Sequence, residues 1–160
     1  MKRTLAVMVL LMMGFTLLVS CGEGGGGTDK KAEEFTKFTE ANWVKIGIAE
    51  GWTDKVSDGG YDIRLEKGAE LDLKYIDISY TMTPKAQKIE EDKAGTSGEI
   101  KEESKVTYAG IEFDKLVIES SGLKYTDLYG DKGTDTMMIV IFGEVDAEIE
   151  KMLNSLELVK

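Results

Sequence analysis

Three aspartates recur at every fourth position in the second half of the sequence. Asp127, Asp131 and Asp135 lie in the stretch DLYGDKGTD. Carboxylates that converge on a loop are suitable ligands for Ca²⁺. The spacing is not that of an EF-hand loop, however, and Lys132 opposes a cation bound between them. Gly133 indicates instead a hairpin turn that needs a positive φ, so we predict no metal site and keep these aspartates only as weak metal candidates.

Asp54, Asp58 and Asp62 repeat the same spacing around Gly59 and Gly60. The Asp-Gly-Gly sequence is a strong turn signal, and turn formation again explains the pattern better than metal binding. A cation-dependent solute site built from these aspartate loops is therefore the alternative function and not the preferred one.

The side chains that most nucleophilic enzymes need are missing from this sequence. Its 160 residues include no His and a single Cys, which excludes imidazole relays, imidazole metal ligands and Cys-X-X-Cys sites. Ser120-Ser121-Gly122 is not a nucleophile elbow, and the glycine run 22–27 lacks the flanking residues of a phosphate-binding loop. We predict no catalytic residue, no enzyme activity and no cofactor. A carboxylate-based hydrolase is the remaining catalytic alternative.

Charge excludes a further class of partner. The sequence carries 20 basic and 30 acidic residues, a formal net charge of -10, whereas a nucleic-acid-binding protein needs a basic face. Acidic residues between 90 and 103 alternate with lysines, which indicates a solvated helix face and loop. No nucleic acid is expected as a partner.

Aromatic residues are the better candidates for contact with another protein. Most of the Trp and Tyr side chains are expected in the core or on sheet faces. Trp52, in a predicted turn, is the first candidate for an exposed partner-binding residue, and Tyr129 is the second.

The N-terminus carries the most specific signal in the chain. Lys2 and Arg3 precede an apolar run of about 15 residues, which is too short to cross a bilayer but suits a secretory signal. The run ends in Leu18-Val19-Ser20-Cys21, which resembles the lipobox of bacterial lipoproteins. The resemblance implies that residues 1–20 are removed and that Cys21 receives a lipid, and two acyl chains give stable anchoring.

The residues after Cys21 are expected to form a tether. Residues 21–34 begin with a glycine-rich run that predicts a flexible coil with a reach of roughly 20 Å. We expect residues 35–160 to form one soluble domain on the extracytoplasmic face of the cell membrane, or on the periplasmic side of an outer membrane if the cell has one. Its partners would be the membrane, through the lipid, and an envelope protein. The ligand, the envelope type and the oligomeric state stay open.

Hydrophobic patterning predicts an α+β domain, an antiparallel sheet with helices on both faces. Strand 71–82 changes phase near Tyr75-Ile76, which a bulge or burial of both faces would explain. The run MMIVIF is apolar at every position and predicts a central strand buried on both faces. Thr83 is the predicted N-cap of the helix 84–93, with Pro84 at its first position. The predicted helices cover 30–42, 84–93 and 144–155, and the predicted strands cover 43–48, 61–66, 71–82, 105–108, 111–119, 123–129, 136–142 and 156–159.

Four segments together resemble the Mog1/PsbP-like family of α/β/α sandwiches. They are the turn Ala49-Glu50-Gly51-Trp52, the hairpin VTYAGIEFDKLVIE, the apolar strand 137–142 and the ending IEKMLNSLELVK. Glu50 stands where the family usually has Pro. The resemblance implies the sandwich fold and an accessory protein that docks on a larger partner, hence a non-catalytic binding module, and it transfers no partner-binding residue.

Overall fold

A computed structural model describes residues 35–69 and 72–160, all of which belong to the unit Ala32–Lys160. Two helices and ten strands occupy these residues. The helices are α1 (Lys85–Gly95) and α2 (Ala147–Leu153). The strands are β1 (Lys37–Glu40), β2 (Val44–Ile48), β3 (Thr53–Val56), β4 (Ile63–Lys67), β5 (Lys74–Thr81), β6 (Glu99–Tyr108), β7 (Ile111–Ser120), β8 (Leu123–Lys132), β9 (Asp135–Phe142) and β10 (Glu157–Leu158).

The strands form two antiparallel sheets. The large sheet has the order β3-β4-β5-β9-β8-β7-β6, and the small sheet has the order β1-β2-β10. Hairpins join β6 to β7, β7 to β8 and β8 to β9, because Gly110, Gly122 and Gly133 supply the positive φ that these tight turns require. The ten-residue strand β6 is one edge of the large sheet and carries a bulge between Ile100 and Glu102.

The helices lie on opposite sides of the large sheet. On one side, buried side chains of β9 pack with the small sheet and α2 in one core that includes Ile46, Ile139 and Met152. On the other side, Ile89 of α1 packs on a smaller cluster around Leu116 and Tyr129. The predicted α+β fold, with an antiparallel sheet and helices on both faces, is confirmed.

The first predicted helix is wrong within the described residues. Residues 37–40 of the predicted helix 30–42 form β1, which pairs with β2 from Lys37 opposite Ile48 to Glu40 opposite Lys45. Thr39 is buried and its neighbours Phe38 and Glu40 are exposed, as in a half-buried strand. Tertiary pairing therefore overrides a weak helical pattern.

Two predictions for the central strands also need correction. β5 pairs without interruption with β9 from Tyr75 to Thr81, so there is no bulge at Tyr75-Ile76, and the apparent phase change arises because Leu73 precedes the strand. β9 is central, as predicted, but only one of its faces is fully buried. Met137, Ile139 and Ile141 are buried, whereas Met138, Val140 and Phe142 are partly exposed.

Two boundaries differ from the prediction around α1. Pro84, and not Thr83, is the N-cap residue, and its side chain makes no capping hydrogen bond. The Thr83 carbonyl instead accepts a hydrogen bond from Thr136 Oγ1 at 2.7 Å. The acidic stretch 99–103, predicted as a loop, is the first half of β6, where alternate side chains point to solvent and tolerate charge.

Candidate binding face

The side of the large sheet that carries α1 is only half covered. α1 extends over β8, β7 and β6, where Lys85 contacts Asp114 and Lys93 contacts Glu103. The central strands β5 and β9 keep partly exposed side chains on this side. We call this uncovered area the open face and define it by the outward residues of β3, β4, β5 and β9 together with Tyr125 and Asp127 of β8.

A row of aromatic rings crosses the open face. Tyr75, Phe142 and Tyr125 lie directly opposite one another on β5, β9 and β8. The Tyr75 and Phe142 rings stack with centroids 5.2 Å apart, and Tyr125 lies 5.2 Å from Phe142. The Arg64 guanidinium stacks on the other side of Tyr75, 4.7 Å from its centroid. Tyr75 and Phe142 are nearly parallel and Tyr125 is tilted by 51° to Phe142, and these three partly exposed rings form an apolar floor.

The next row of the open face is polar at both ends. Arg64 and Asp77 face each other on β4 and β5 and form a bidentate ion pair, with Arg64 Nε donating at 2.6 Å. Across β5 and β9, Asp77 lies opposite Val140, which in turn lies opposite Asp127 on β8. The row across these four strands therefore consists of the Arg64–Asp77 ion pair, then Val140, and then the Asp127 carboxylate.

Two clefts lie side by side on this surface. The first, of about 610 Å³, lies over β3 to β5 and is lined by residues that include Asp58, Asp62 and Asp77. The second, of about 390 Å³, lies between the sheet and the C-terminal half of α1, and its lining includes Asp92 and Asp127. Both clefts are open to solvent and border the central strands.

The second cleft contains a pair of carboxylates joined by one hydroxyl. Tyr129 donates its phenolic hydrogen to Asp92 Oδ2 at 2.9 Å, and the Tyr129 hydroxyl oxygen lies 3.5 Å from Asp127 Oδ2. Lys88 forms an ion pair with Asp92 one helical turn away. Burial, followed by the charge of Asp92, raises the pKa of Asp127 to about 6. Burial and the neighbouring Asp127 charge raise the pKa of Tyr129 well above its usual value, so this hydroxyl stays protonated.

The aspartates of the second hairpin do not converge. Asp127 lies in the cleft, Asp131 makes an ion pair with Lys85 of α1, and Asp135 lies 4.0 Å from Lys132 within the turn. No group of three acidic or other metal-ligating side chains forms anywhere in residues 35–69 and 72–160. The extended strand separates Asp127 from Asp131 by about four residues, or roughly 13 Å.

The other aspartate series is also divided between two sites. Asp54 forms an ion pair with Lys37 of β1, whereas Asp58 and Asp62 line the larger cleft of the open face. Ser57 organises the turn that carries these two carboxylates, since its Oγ accepts hydrogen bonds from the backbone of Tyr61 and Asp62.

The two aromatic residues predicted to contact a partner are both buried, which corrects that prediction. Trp52 is 5% exposed and Tyr129 is fully buried. The Trp52 indole donates to Glu148 Oε2 of α2 at 2.7 Å, and Lys67 pairs with the same carboxylate at 2.8 Å. Trp52 therefore closes one end of the core, and Tyr129 holds α1 to the sheet.

The open face was missed because no single motif marks it. The pattern in the sequence that indicates the open face is the alternation of Tyr75, Asp77 and Ser79 with the buried Ile76 and Ile78 along β5. That alternation indicates a strand with one uncovered face.

The lipidation residue Cys21 and the predicted tether 21–34 lie outside the described residues. Neither α1 nor α2, the two helices in the described part of the chain, is long and apolar enough to cross a membrane.

Comparison with known proteins identifies the fold through structure alone. No protein-family model and no curated protein matches the sequence. The solution structure of cyanobacterial PsbP (CyanoP) from Synechocystis is similar, with a TM-score of 0.51 and 9% identity over 86% of this chain and 99% of that chain. A crystal structure of a protein from Bacteroides thetaiotaomicron has a TM-score of 0.50 and 15% identity over 76% of this chain. This chain spans 47% of that protein's length. The domain therefore has a PsbP-like fold.

Proposed function

We propose that the protein is a lipid-anchored, extracytoplasmic binding module of the bacterial envelope, which acts as a non-catalytic accessory to a protein partner. Cys21 carries the lipid and residues 21–34 form the tether. The open face binds the partner. The membrane is the cell membrane, or an outer membrane where the cell has one.

The observation that carries the binding role is the incomplete cover of the large sheet. Central strands of a sheet with helices on both sides normally have both faces buried. Here Tyr75, Val140 and Phe142 remain partly exposed next to two open clefts. The area combines an apolar floor with polar edges, as interfaces between non-obligate partners do.

The anchor is supported by the sequence of the N-terminus, where the basic residues, the apolar run, the small residues and the lone Cys occur at the spacing of a lipobox. The accessory role is supported by the PsbP-like fold, since the family resemblance implies docking on a larger protein. Fold alone does not define function, so the partner must be found by experiment.

The anchor and the face are tested in the same cells. A Cys21→Ser variant is expected to lose lipid labelling and to leave the membrane fraction. A photo-cross-linking amino acid at Ser79, on the open face, should give a discrete adduct with one envelope protein. The matched position is Glu150, on the outward side of α2, where no such adduct is expected. Retention of Cys21→Ser in membranes would overturn the proposal that Cys21 carries the anchor. Equal labelling from both positions would overturn the proposal that the open face binds the partner.

A further inference from the structure

The charge of the open face and of the two clefts that border it is strongly unbalanced. The acidic side chains are Asp58, Asp62, Glu66, Asp77, Asp92 and Asp127, and the basic ones are Lys55, Arg64 and Lys88. Three acids are in ion pairs, Asp77 and Glu66 with Arg64, and Asp92 with Lys88. Among the described residues, Asp58, Asp62 and Asp127 make no ion pair. The face therefore attracts a cationic ligand.

The positions of the unpaired acids define the spacing between positive charges that a ligand of this face would need. Asp127 is on β8, and Asp58 and Asp62 precede β4, with β9 and β5 in between. Strands lie about 4.8 Å apart, so the two acidic positions are separated by roughly 14–16 Å. An extended peptide covers that distance in about four or five residues.

The surface between the two acidic positions suits the stems of long basic side chains. It includes the Arg64–Asp77 ion pair on β4 and β5 and, next to Asp127, the Val140 and Met138 side chains and the Tyr75 and Tyr125 rings. Lys and Arg pack their aliphatic stems on such surfaces while the charged group reaches a carboxylate. Three hydroxyl residues of the smaller cleft, Thr96, Ser97 and Ser120, add hydrogen-bonding groups close to Asp127.

We propose that the open face docks an extended basic segment of the envelope partner, which rests on the function proposed above. One Lys or Arg side chain enters the cleft beside α1 and pairs with Asp127. A second basic side chain, four residues away and so on the same face of the extended segment, pairs with Asp58 and Asp62 in the larger cleft. A cation in the first cleft neutralises the half-buried Asp127 carboxylate, which makes no ion pair among the described residues and has only the more distant charge of Lys88 to offset it.

The test measures binding of synthetic peptides to the full-length lipoprotein in neutral phosphatidylcholine nanodiscs at low salt. The probe is a fluorescent ten-residue Gly/Ser peptide with two Arg four positions apart, an even spacing that puts both side chains on one face of an extended chain. The same peptide with Gln for Arg and a peptide with the two Arg adjacent are the controls. The spaced peptide is expected to bind at least tenfold more tightly than the Gln peptide, and more tightly than the adjacent-Arg peptide. Equal affinity of the spaced-Arg and Gln peptides would overturn the basic segment.

Two protein variants that each remove three negative charges distinguish binding at the open face from non-specific attraction to an acidic protein. Asp58→Asn/Asp62→Asn/Asp127→Asn should weaken the spaced peptide about tenfold or more. Glu40→Gln/Glu50→Gln/Glu157→Gln, which neutralises three exposed acids of the small sheet and the turn after it, should change its affinity less than threefold. Equal losses would mean non-specific attraction and would overturn the site. If the first variant fails to fold by circular dichroism, Asp58→Asn/Asp62→Asn alone must still weaken binding at least threefold.

Two further outcomes distinguish this inference from the proposed function. If spermine binds with the same variant dependence and the peptide does not, the ligand is a small polyamine and the segment is overturned. If the peptides do not bind but the cross-linker at Ser79 still gives its adduct in cells, the proposed binding function is retained. The proposal that the partner docks through a basic segment is then overturned.

Discussion

Asp127 is held in a cleft that disfavours its charge. Its carboxyl is partly buried and faces Asp92 and the Tyr129 hydroxyl, with Lys88 one helical turn from Asp92 on α1. Burial and the Asp92 charge raise its pKa to about 6. Residues with perturbed pKa values are common at functional sites, and here the charged form of Asp127 reduces the stability of the folded domain.

We expect Asp127→Asn to stabilise the protein at neutral pH. The folded state holds a proton on Asp127 up to about pH 6, whereas an unfolded Asp loses it near pH 4. Between these values the folded state binds more protons, so the contribution of Asp127 to stability falls as pH rises through this window. The free energy of unfolding of the variant should therefore exceed that of the wild type by about 1–2 kcal/mol at pH 7.5, and the two values should match near pH 4. Urea unfolding at both pH values measures this, and a pH-independent difference would contradict it.

At the scale of the elements, α1 is held to the sheet mainly by polar contacts. It has no buried residue, and its apolar contact with the sheet centres on Ile89. Lys85 reaches Asp114 at 3.0 Å and Asp131 at 2.9 Å, and Tyr129 holds Asp92. By contrast, α2 buries Ile149, Met152 and Leu153 and has Asp146 as a hydrogen-bonding N-cap.

We expect α1 to open locally under conditions that leave α2 closed. Raising NaCl from 0.05 to 0.5 M shortens the Debye length from about 14 to about 4 Å and weakens partly exposed ion pairs. Amide hydrogen exchange in residues 85–95 should accelerate several-fold, and Lys85→Ala should have a similar effect at low salt. Exchange in residues 147–153 should not change. Equal salt sensitivity of both helices would contradict this account.

Most elements of the fold could be predicted from sequence, but the open face could not. Periodicity identified β2, β4, both later hairpins and α2, because their buried side chains recur at regular spacing. β1 was predicted as part of a helix because Phe35 and Phe38 lie three positions apart among charged residues, which is a helical spacing. The partial exposure of one side of β9 could not be predicted from its apolar run, because Met138, Val140 and Phe142 are apolar and yet only partly buried. Which strands α1 leaves uncovered depends on tertiary placement, which no local pattern encodes.

At the scale of the whole molecule, one core joins both sheets. Ile46 of the small sheet, Ile139 of the large sheet and Met152 of α2 belong to the same buried cluster. A cluster of this kind unfolds cooperatively. The small sheet is therefore a structural part of the domain, although only three strands form it.

We expect Ile46→Ala to destabilise both sheets together. Ile46 is fully buried, and the cavity left by truncation costs about 2–5 kcal/mol, whereas Ile46→Val costs about 0.5–1.5 kcal/mol. Hydrogen exchange measured near neutral pH should show β2 and β9 losing protection by equal amounts in each variant. Loss of protection confined to β2 would show that the small sheet opens independently.

The edge strand β6 has a consequence for many copies on one membrane. Anchoring by lipid would confine the molecules to a plane, where encounters between neighbours are frequent and strand edges meet often. A ten-residue edge with unpaired backbone groups invites chain-to-chain pairing and fibre growth. β6 carries a bulge between Ile100 and Glu102 and charged side chains from Glu99 to Lys105, which oppose such pairing. With the proposed lipid anchor, β6 would therefore limit edge-to-edge pairing between crowded copies of this protein.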